Sequence, residues 1–299
     1  MRDFNGKIAV ITGAASGFGR EFALLGARLG MKLVLADVQP LQETEAAARA
    51  IGAEVVAQHC DVRDGAQVDA LAQAAMQRFG AVHLVFNNAG VGAGGLLWES
   101  SQADWEWVLG VNLWGVIHGV RAFTPLMLAC AKQDPAYEGH IVNTASMAGL
   151  LTPPLMGVYN VSKHAVVALT ETLYHDLALV GAPIGVSVLC PYFVPTGIGQ
   201  SHRARPDDAQ SDAAPTRSQQ VAQASLEKAV SSGKFSAADV ARLSFDAIRE
   251  QRFYIYSHPQ SLGDVQRRVE DILQGRNPGD PYEAAPQVRE QLRAGLKGE

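Results

Sequence analysis

Cysteine is scarce in this chain: Cys60, Cys130 and Cys190 are odd in number, far apart and without metal-ligand spacing. That excludes a disulfide framework and points to buried free thiols in a reducing compartment. The eight histidines form no His-Glu-x-x-His pattern or other metal spacing, so no metal site is expected. A basic excess is missing as well. With a net charge of −5 there is neither a footprint for nucleic acid nor a polybasic patch for a membrane. No apolar run reaches membrane length, and the N-terminus enters a strand-like run and then glycines, unlike a signal peptide. A cytoplasmic protein is expected. Charged residues make up only 18% and hydrophobic ones 47%, which gives a globule an ample core.

What is present alternates between two periods. Lys7 to Thr12 is a β-rich run, followed directly by Gly13-Ala-Ala-Ser-Gly17-Phe-Gly19, a helical pattern from Glu21 to Leu29, and a second strand-like run, Lys32 to Ala36, ending at Asp37. In such a βαβ unit the glycines let the backbone turn tightly toward a pyrophosphate, which sits at the positive end of the first helix. Asp37 stands where a carboxylate accepts hydrogen bonds from both adenosine ribose hydroxyls and repels a 2′-phosphate. The bland alternatives are a ligand-free turn and an aspartate that caps the next helix.

The alternation continues. Glu54 to Gln58 reads as a strand ending near Cys60-Asp61-Val62, Asp64 as the N-cap of an amphipathic helix to Phe79, and Val82 to Phe86 as a short strand closed by Asn87-Asn88-Ala89-Gly90. The small residues there let backbone pass close to a cofactor. Asn112 opens a long apolar helix, Leu113 to Ala131, and marks either a water site or a capping amide. Strand His140 to Thr144 runs into Ala145-Ser146, and Tyr159-Asn-Val-Ser-Lys163 follows at the head of a helix from Val158 to Val180. Four apart, Tyr159 and Lys163 share a helix face. The ammonium is expected to draw the phenol pKa from ~10 toward neutrality, giving a group that trades protons with an alcohol or carbonyl. A parallel, doubly wound α/β sheet of about seven strands, helices on both faces, is the architecture this order predicts.

From about Lys7 to Thr196 these motifs together resemble the short-chain dehydrogenase/reductase family, NAD(P)-dependent oxidoreductases on a single Rossmann domain. The resemblance implies Asn112, Ser146, Tyr159 and Lys163 as catalytic residues. Ser146 would hold the reacting oxygen, Tyr159 would exchange its proton, Lys163 would hold the nicotinamide ribose, and Asn112 would hold a water. It implies cofactor contacts at Gly13, Ser16, Gly17, Phe18, Gly19, Asp37, Asp61, Val62, Asn88, Ala89, Gly90, Tyr159, Lys163, Pro191, Val194 and Thr196. Ser16 and Val38 stand where NADP forms usually carry a basic residue, so NAD is preferred to NADP; Arg20 is read as a solvated helix residue. Tyr192 departs from the usual Pro-Gly and either walls the substrate pocket, with Leu150, Leu151, Met156 and Phe193, or packs on the core.

Residues 197–235 read as a lid or a solvated loop, Ser236 as the cap of a helix to Arg249, and 253–257 as the last strand. Residues 1–259 then form one domain. The extension 260–299, with a helix from Leu262 to Leu273, covers the pocket or joins a subunit interface. A homodimer or homotetramer acting on a small apolar or aromatic secondary alcohol or its ketone is expected. An NADPH-linked ketone reductase and a non-catalytic NAD(H)-binding regulatory module are the alternatives.

Overall fold

The structure, a computed structural model, describes residues 1–206 and 214–298. Seven strands form one sheet: β1 (Ile8–Thr12), β2 (Lys32–Asp37), β3 (Val55–His59), β4 (Leu84–Asn87), β5 (Gly139–Thr144), β6 (Ile184–Cys190) and β7 (Tyr254–Tyr256). Their order is β3-β2-β1-β4-β5-β6-β7, and every pairing is parallel. β1 and β4 are buried along their whole length, as short continuous apolar runs covered on both faces must be.

One face is closed by α1 (Gly17–Arg28), α2 (Gln42–Ala50) and α8 (Ala237–Arg249). Their Phe22, Ala48 and Phe245 meet Ile11, Leu33 and Phe86 of the sheet, and the Phe22 and Phe86 rings stack at 4.2 Å. The other face carries α3 (Gly65–Phe79), α5 (Gly115–Gln133) and α6 (Gly157–Leu179), whose Leu71, Phe123, Met127 and Leu177 bury Val10, Val85 and Ile141. This is the doubly wound Rossmann arrangement. Strand order reverses between β1 and β4, and the crevice lies beyond their C-terminal ends.

Two helical stretches differ from the sequence reading. Before α5 come α4 (Gln102–Leu109) and a π-helical turn, Gly110–Trp114, so the helix begins well before Leu113. Taken as one stretch, Gln102–Gln133 is long and apolar enough in composition to cross a membrane, which the sequence reading had not found. In the fold its α5 part lies on the sheet through Phe123, Met127 and Cys130. Much of the segment read as lid or loop is helical: Gly197–Ala204 is a 3-10 stretch and α7 spans Arg217–Ser231, opened by a capping box between Thr216 and Gln219. The part of that lid at 207–213 lies outside the described residues. Beyond β7 follow α9 (Leu262–Leu273), as the sequence indicated, and α10 (Pro286–Lys297).

Two buried histidines, His83 just before β4 and His140 on β5, are expected to make the fold acid-sensitive. The Ile8 N–H donates to His83 Nδ1 at 3.3 Å, and His140 Nε2 lies 2.8 Å from Ser187 Oγ. Burial pushes His83 down to about 4 and His140 to about 3, so both rings are held neutral. The unfolded chain, with imidazoles near ~6.5, binds more protons over this range, so stability falls as pH drops from ~6.5 toward ~4, by up to ~1.4 kcal/mol per pH unit per ring. Denaturant midpoints measured across that window should decline; a flat profile would contradict the assignment.

Candidate active site

The loop between β1 and α1 is shaped for close approach. Gly13 and Gly17 have φ of +67° and +53°, and a Cβ on Gly13 would stand 2.8 Å from the Ala89 Cα. Gly19 serves packing instead: a Cβ there would fall 2.1 Å from the Gly13 carbonyl oxygen, and Gly19 does not line the cavity. Ser16 caps α1 by backbone geometry without a side-chain hydrogen bond, and no acidic residue occupies the first turn. The free amides and positive dipole end of α1 therefore suit a pyrophosphate.

At the end of β2, the Asp37 carboxylate accepts from the N–H of Ala15 and of Gln39, both at 2.9 Å. Burial pushes this carboxyl above its usual range, while the Gln39 and Ala15 amides oppose the shift. Arg20 pairs with the exposed Glu43 at 3.4 Å. Asp61 is gripped by Arg63, whose Nε and a terminal nitrogen reach one carboxylate oxygen at 2.9 and 2.8 Å. The Asn88 side chain is tied to β1, donating to the Thr12 carbonyl at 2.9 Å, and the Thr12 hydroxyl accepts from the N–H of Asn88 and Ala89. Thr12 thus fixes the crevice floor. Its signal in the sequence is a hydroxyl closing an apolar strand.

Across the crevice, Ser146 follows β5, and Tyr159 and Lys163 sit one turn apart on the first half of α6, both buried. The Ser146 hydroxyl donates to the Pro191 carbonyl at 3.4 Å and accepts from the Ala148 N–H at 3.1 Å. Lys163 Nζ donates to the Thr144 carbonyl at 2.9 Å and stands 5.6 Å from the Tyr159 ring centre. The expected fall in the phenol pKa is not produced by the protein's own groups. Burial pushes Tyr159 up to about 12, only partly offset by Ser146, and pushes Lys163 down to about 8. Desolvation disfavours the charged form of each, and at this separation the ammonium does not reverse it. Just before α6, Leu155 adopts φ +63°, a left-handed conformation rare for leucine, in the wall beside Met156.

Asn112 does not line the cavity. Fully buried in the π-helical turn, it accepts from the Val91 N–H at 2.8 Å and donates to the Val91 carbonyl at 2.9 Å and to Ser162 Oγ at 3.1 Å. The side chain thus clamps the loop after β4 to α6. Asn112→Ala leaves both Val91 backbone groups unpaired and is expected to cost ~1–3 kcal/mol, measured by denaturant titration; an unchanged midpoint would contradict the clamp.

Apart from Asn112 and Gly19, the proposed cofactor and catalytic residues border one cavity of about 1870 Å³. Leu151, Met156, Tyr192 and Phe193 border it too, whereas Leu150 packs into the cluster of Val166, Val167 and Val188. Tyr192 is 41% exposed, its ring edge-on to Phe193 at 4.6 Å, so it belongs to the wall and not the core. The outer wall comes from α7 (Ala222, Leu226, Val230) and from the C-terminal extension (Arg268, Ile272, Tyr282). α10 is fastened to α7 by Arg217 Nε, which donates to the Gly295 carbonyl at 2.6 Å. Residues of the extension thus border the pocket.

Comparison with known proteins agrees with this layout. Residues 7–207 match the family described as short chain dehydrogenase. A short chain dehydrogenase/reductase from Burkholderia phymatum, solved in complex with NAD, is 60% identical with a TM-score of 0.91, covering 94% of this chain and 99% of that one. The CLA biosynthesis dehydrogenase/reductase of Lactiplantibacillus plantarum is 34% identical, with 91% of this chain and 95% of that protein covered. The 1-deoxy-11-beta-hydroxypentalenate dehydrogenase of Streptomyces exfoliatus is also 34% identical, with 89% and 88% covered. The crevice at the strand reversal, the glycine loop and the matched sequence lead to one conclusion: the chain belongs to the short-chain dehydrogenase/reductase family.

Proposed function

We propose that this protein is an NAD-dependent dehydrogenase interconverting a secondary alcohol and its ketone. The observation that carries the reading is the placement of Ser146, Tyr159 and Lys163 on one wall of the cavity whose far end holds Asp37 and the glycine loop. NAD, when bound, supplies the hydride acceptor. Gly13, Ser16 and Gly17 would hold its pyrophosphate, Asp37 its adenosine ribose, Lys163 its other ribose, and Val194 and Thr196 its carboxamide. An acidic Asp37 disfavours a 2′-phosphate, and the Burkholderia phymatum relative was solved with NAD.

The chemistry follows from three side chains. Ser146 orients the substrate oxygen by a hydrogen bond, which removes part of the entropic barrier. Tyr159 takes the hydroxyl proton as the carbon–hydrogen bond breaks, and returns it in the reverse direction. Lys163, held by the Thr144 carbonyl, fixes the ribose and supplies positive charge beside the phenolate. Leu151, Met156, Phe193, Leu226 and Val230 give the pocket an apolar lining, which supports an apolar or aromatic substrate.

The division into a domain of residues 1–259 and an extension 260–299 belongs to the same proposal. So does a cytoplasmic location, supported by three buried free thiols. A homodimer or homotetramer is supported by exposed Val161, Tyr174 and Leu179 on α6; a monomer in sedimentation would overturn that part. The main test is NADH formation with a panel of aryl, alicyclic, steroid and polyol secondary alcohols, with NADP in parallel. Turnover on one class with NAD supports the reading; NAD binding without turnover in either direction overturns it in favour of a regulatory module.

A further inference from the structure

The C-terminal extension holds five arginines. Four are neutralised within it: Arg267 by Asp264, Arg276 by Asp271 at 2.8 Å, Arg289 by Asp280, and Arg293 by Glu290 at 3.1 Å. Arg268 is the exception. It borders the cavity, is half-buried, and makes no hydrogen bond or ion pair among the described residues. A guanidinium partly removed from water without a counter-charge is costly, and its planar fork matches a carboxylate.

Its position identifies which end of the cavity it serves. Leu262 and Val265 anchor α9 to the cluster of Met147, Val188 and Cys190, on the β5–β6–β7 side of the sheet. Asp264, Arg268 and Asp271 follow one another at helical spacing along the cavity face. Asp37 lies on β2, with β1 and β4 between it and β5. Arg268 therefore stands on the Tyr159 side of the cavity and away from the adenosine side. Apolar Leu151, Phe193 and Ile272 border the same cavity.

We propose that Arg268 is a specificity-determining residue that binds a carboxylate on the substrate, at the end of an apolar body and away from the reacting carbinol carbon. Glu270, bonded by Gln266 Nε2 at 2.8 Å, and Glu283 also border the cavity, as do Asp264, Asp271 and Asp280, each held by another arginine. With these acids nearby, one guanidinium matches a single negative charge better than a dianionic phosphate. The proposal names the substrate class for the dehydrogenase reading and rests on it; a binding measurement keeps the two failures apart, because it requires no turnover.

The test is calorimetric titration of the NADH complex with phenylbutyrate and with phenylbutyramide, an uncharged match. Wild type is expected to bind the carboxylate ~10-fold or more tightly than the amide. Arg268→Gln should erase that preference and Arg268→Lys should restore part of it, with NADH affinity the same in all three. Equal affinity for the two probes in wild type, binding of neither, or a preference that survives Arg268→Gln would overturn the proposal. A fall in NADH affinity in Arg268→Gln would also overturn it, by assigning the arginine to the cofactor.

Discussion

Tyr159→Phe is expected to lower kcat for alcohol oxidation by ~10²–10⁴-fold, the range that loss of a positioned general base produces. NADH affinity should be nearly unchanged, because the substitution removes one oxygen and keeps the ring in α6. The direction of the pH dependence follows from the site. Burial holds the phenol up at about 12, so oxidation, which needs the phenolate, should speed up with rising pH, whereas ketone reduction, which needs the phenol, should stay nearly flat until the pH approaches that value. Initial rates in both directions across pH would check this. Substantial oxidation by the variant, or the opposite pH trend, would contradict Tyr159 as the proton-transfer group.

Asp37→Asn carries the second large effect. The amide keeps the shape of the side chain and one acceptor for the Ala15 and Gln39 N–H groups, but removes the charge. Hydrogen bonds to a charged acceptor contribute ~1.5–3 kcal/mol, so NADH should bind ~10–150-fold more weakly. NADPH should gain, because the repulsion of its 2′-phosphate is gone. Dissociation constants for both cofactors, measured on wild type and variant, would show the ratio moving toward NADPH. An unchanged ratio would contradict Asp37 as the selector.

Wherever local chemistry decides the structure, the sequence was readable. Short β-branched runs bounded by glycine marked the strands, Asp64 and Ser236 do cap α3 and α8, and the glycine loop fixed the crevice. α7 and α10 escaped notice because their sequences are rich in Gln, Ser, Ala and Arg. Their helical state depends on a capping box at Thr216 and on packing of one helix against the other. The π-helical turn at Gly110–Trp114 has no local signature, since it answers to the fit of buried Asn112 against Val91. The phenol pKa was read the wrong way for a similar reason. The i,i+4 spacing reports that Lys163 is near, whereas the burial that raises the phenol pKa is set by the tertiary fold. Arg268 lies within a helix legible in the sequence, yet its lack of a partner among the described residues emerges only when Arg267 and Arg276 are seen holding the neighbouring acids.

The most direct test of the central claim is to follow deuterium from the carbinol carbon of a turned-over secondary alcohol. Hydride transfer with proton removal by Tyr159 predicts deuterium in the reduced nicotinamide, none in solvent, and transfer slowed ~10²–10⁴-fold in Tyr159→Phe. Deuterium in water, or transfer at the wild-type rate in the variant, would contradict the account.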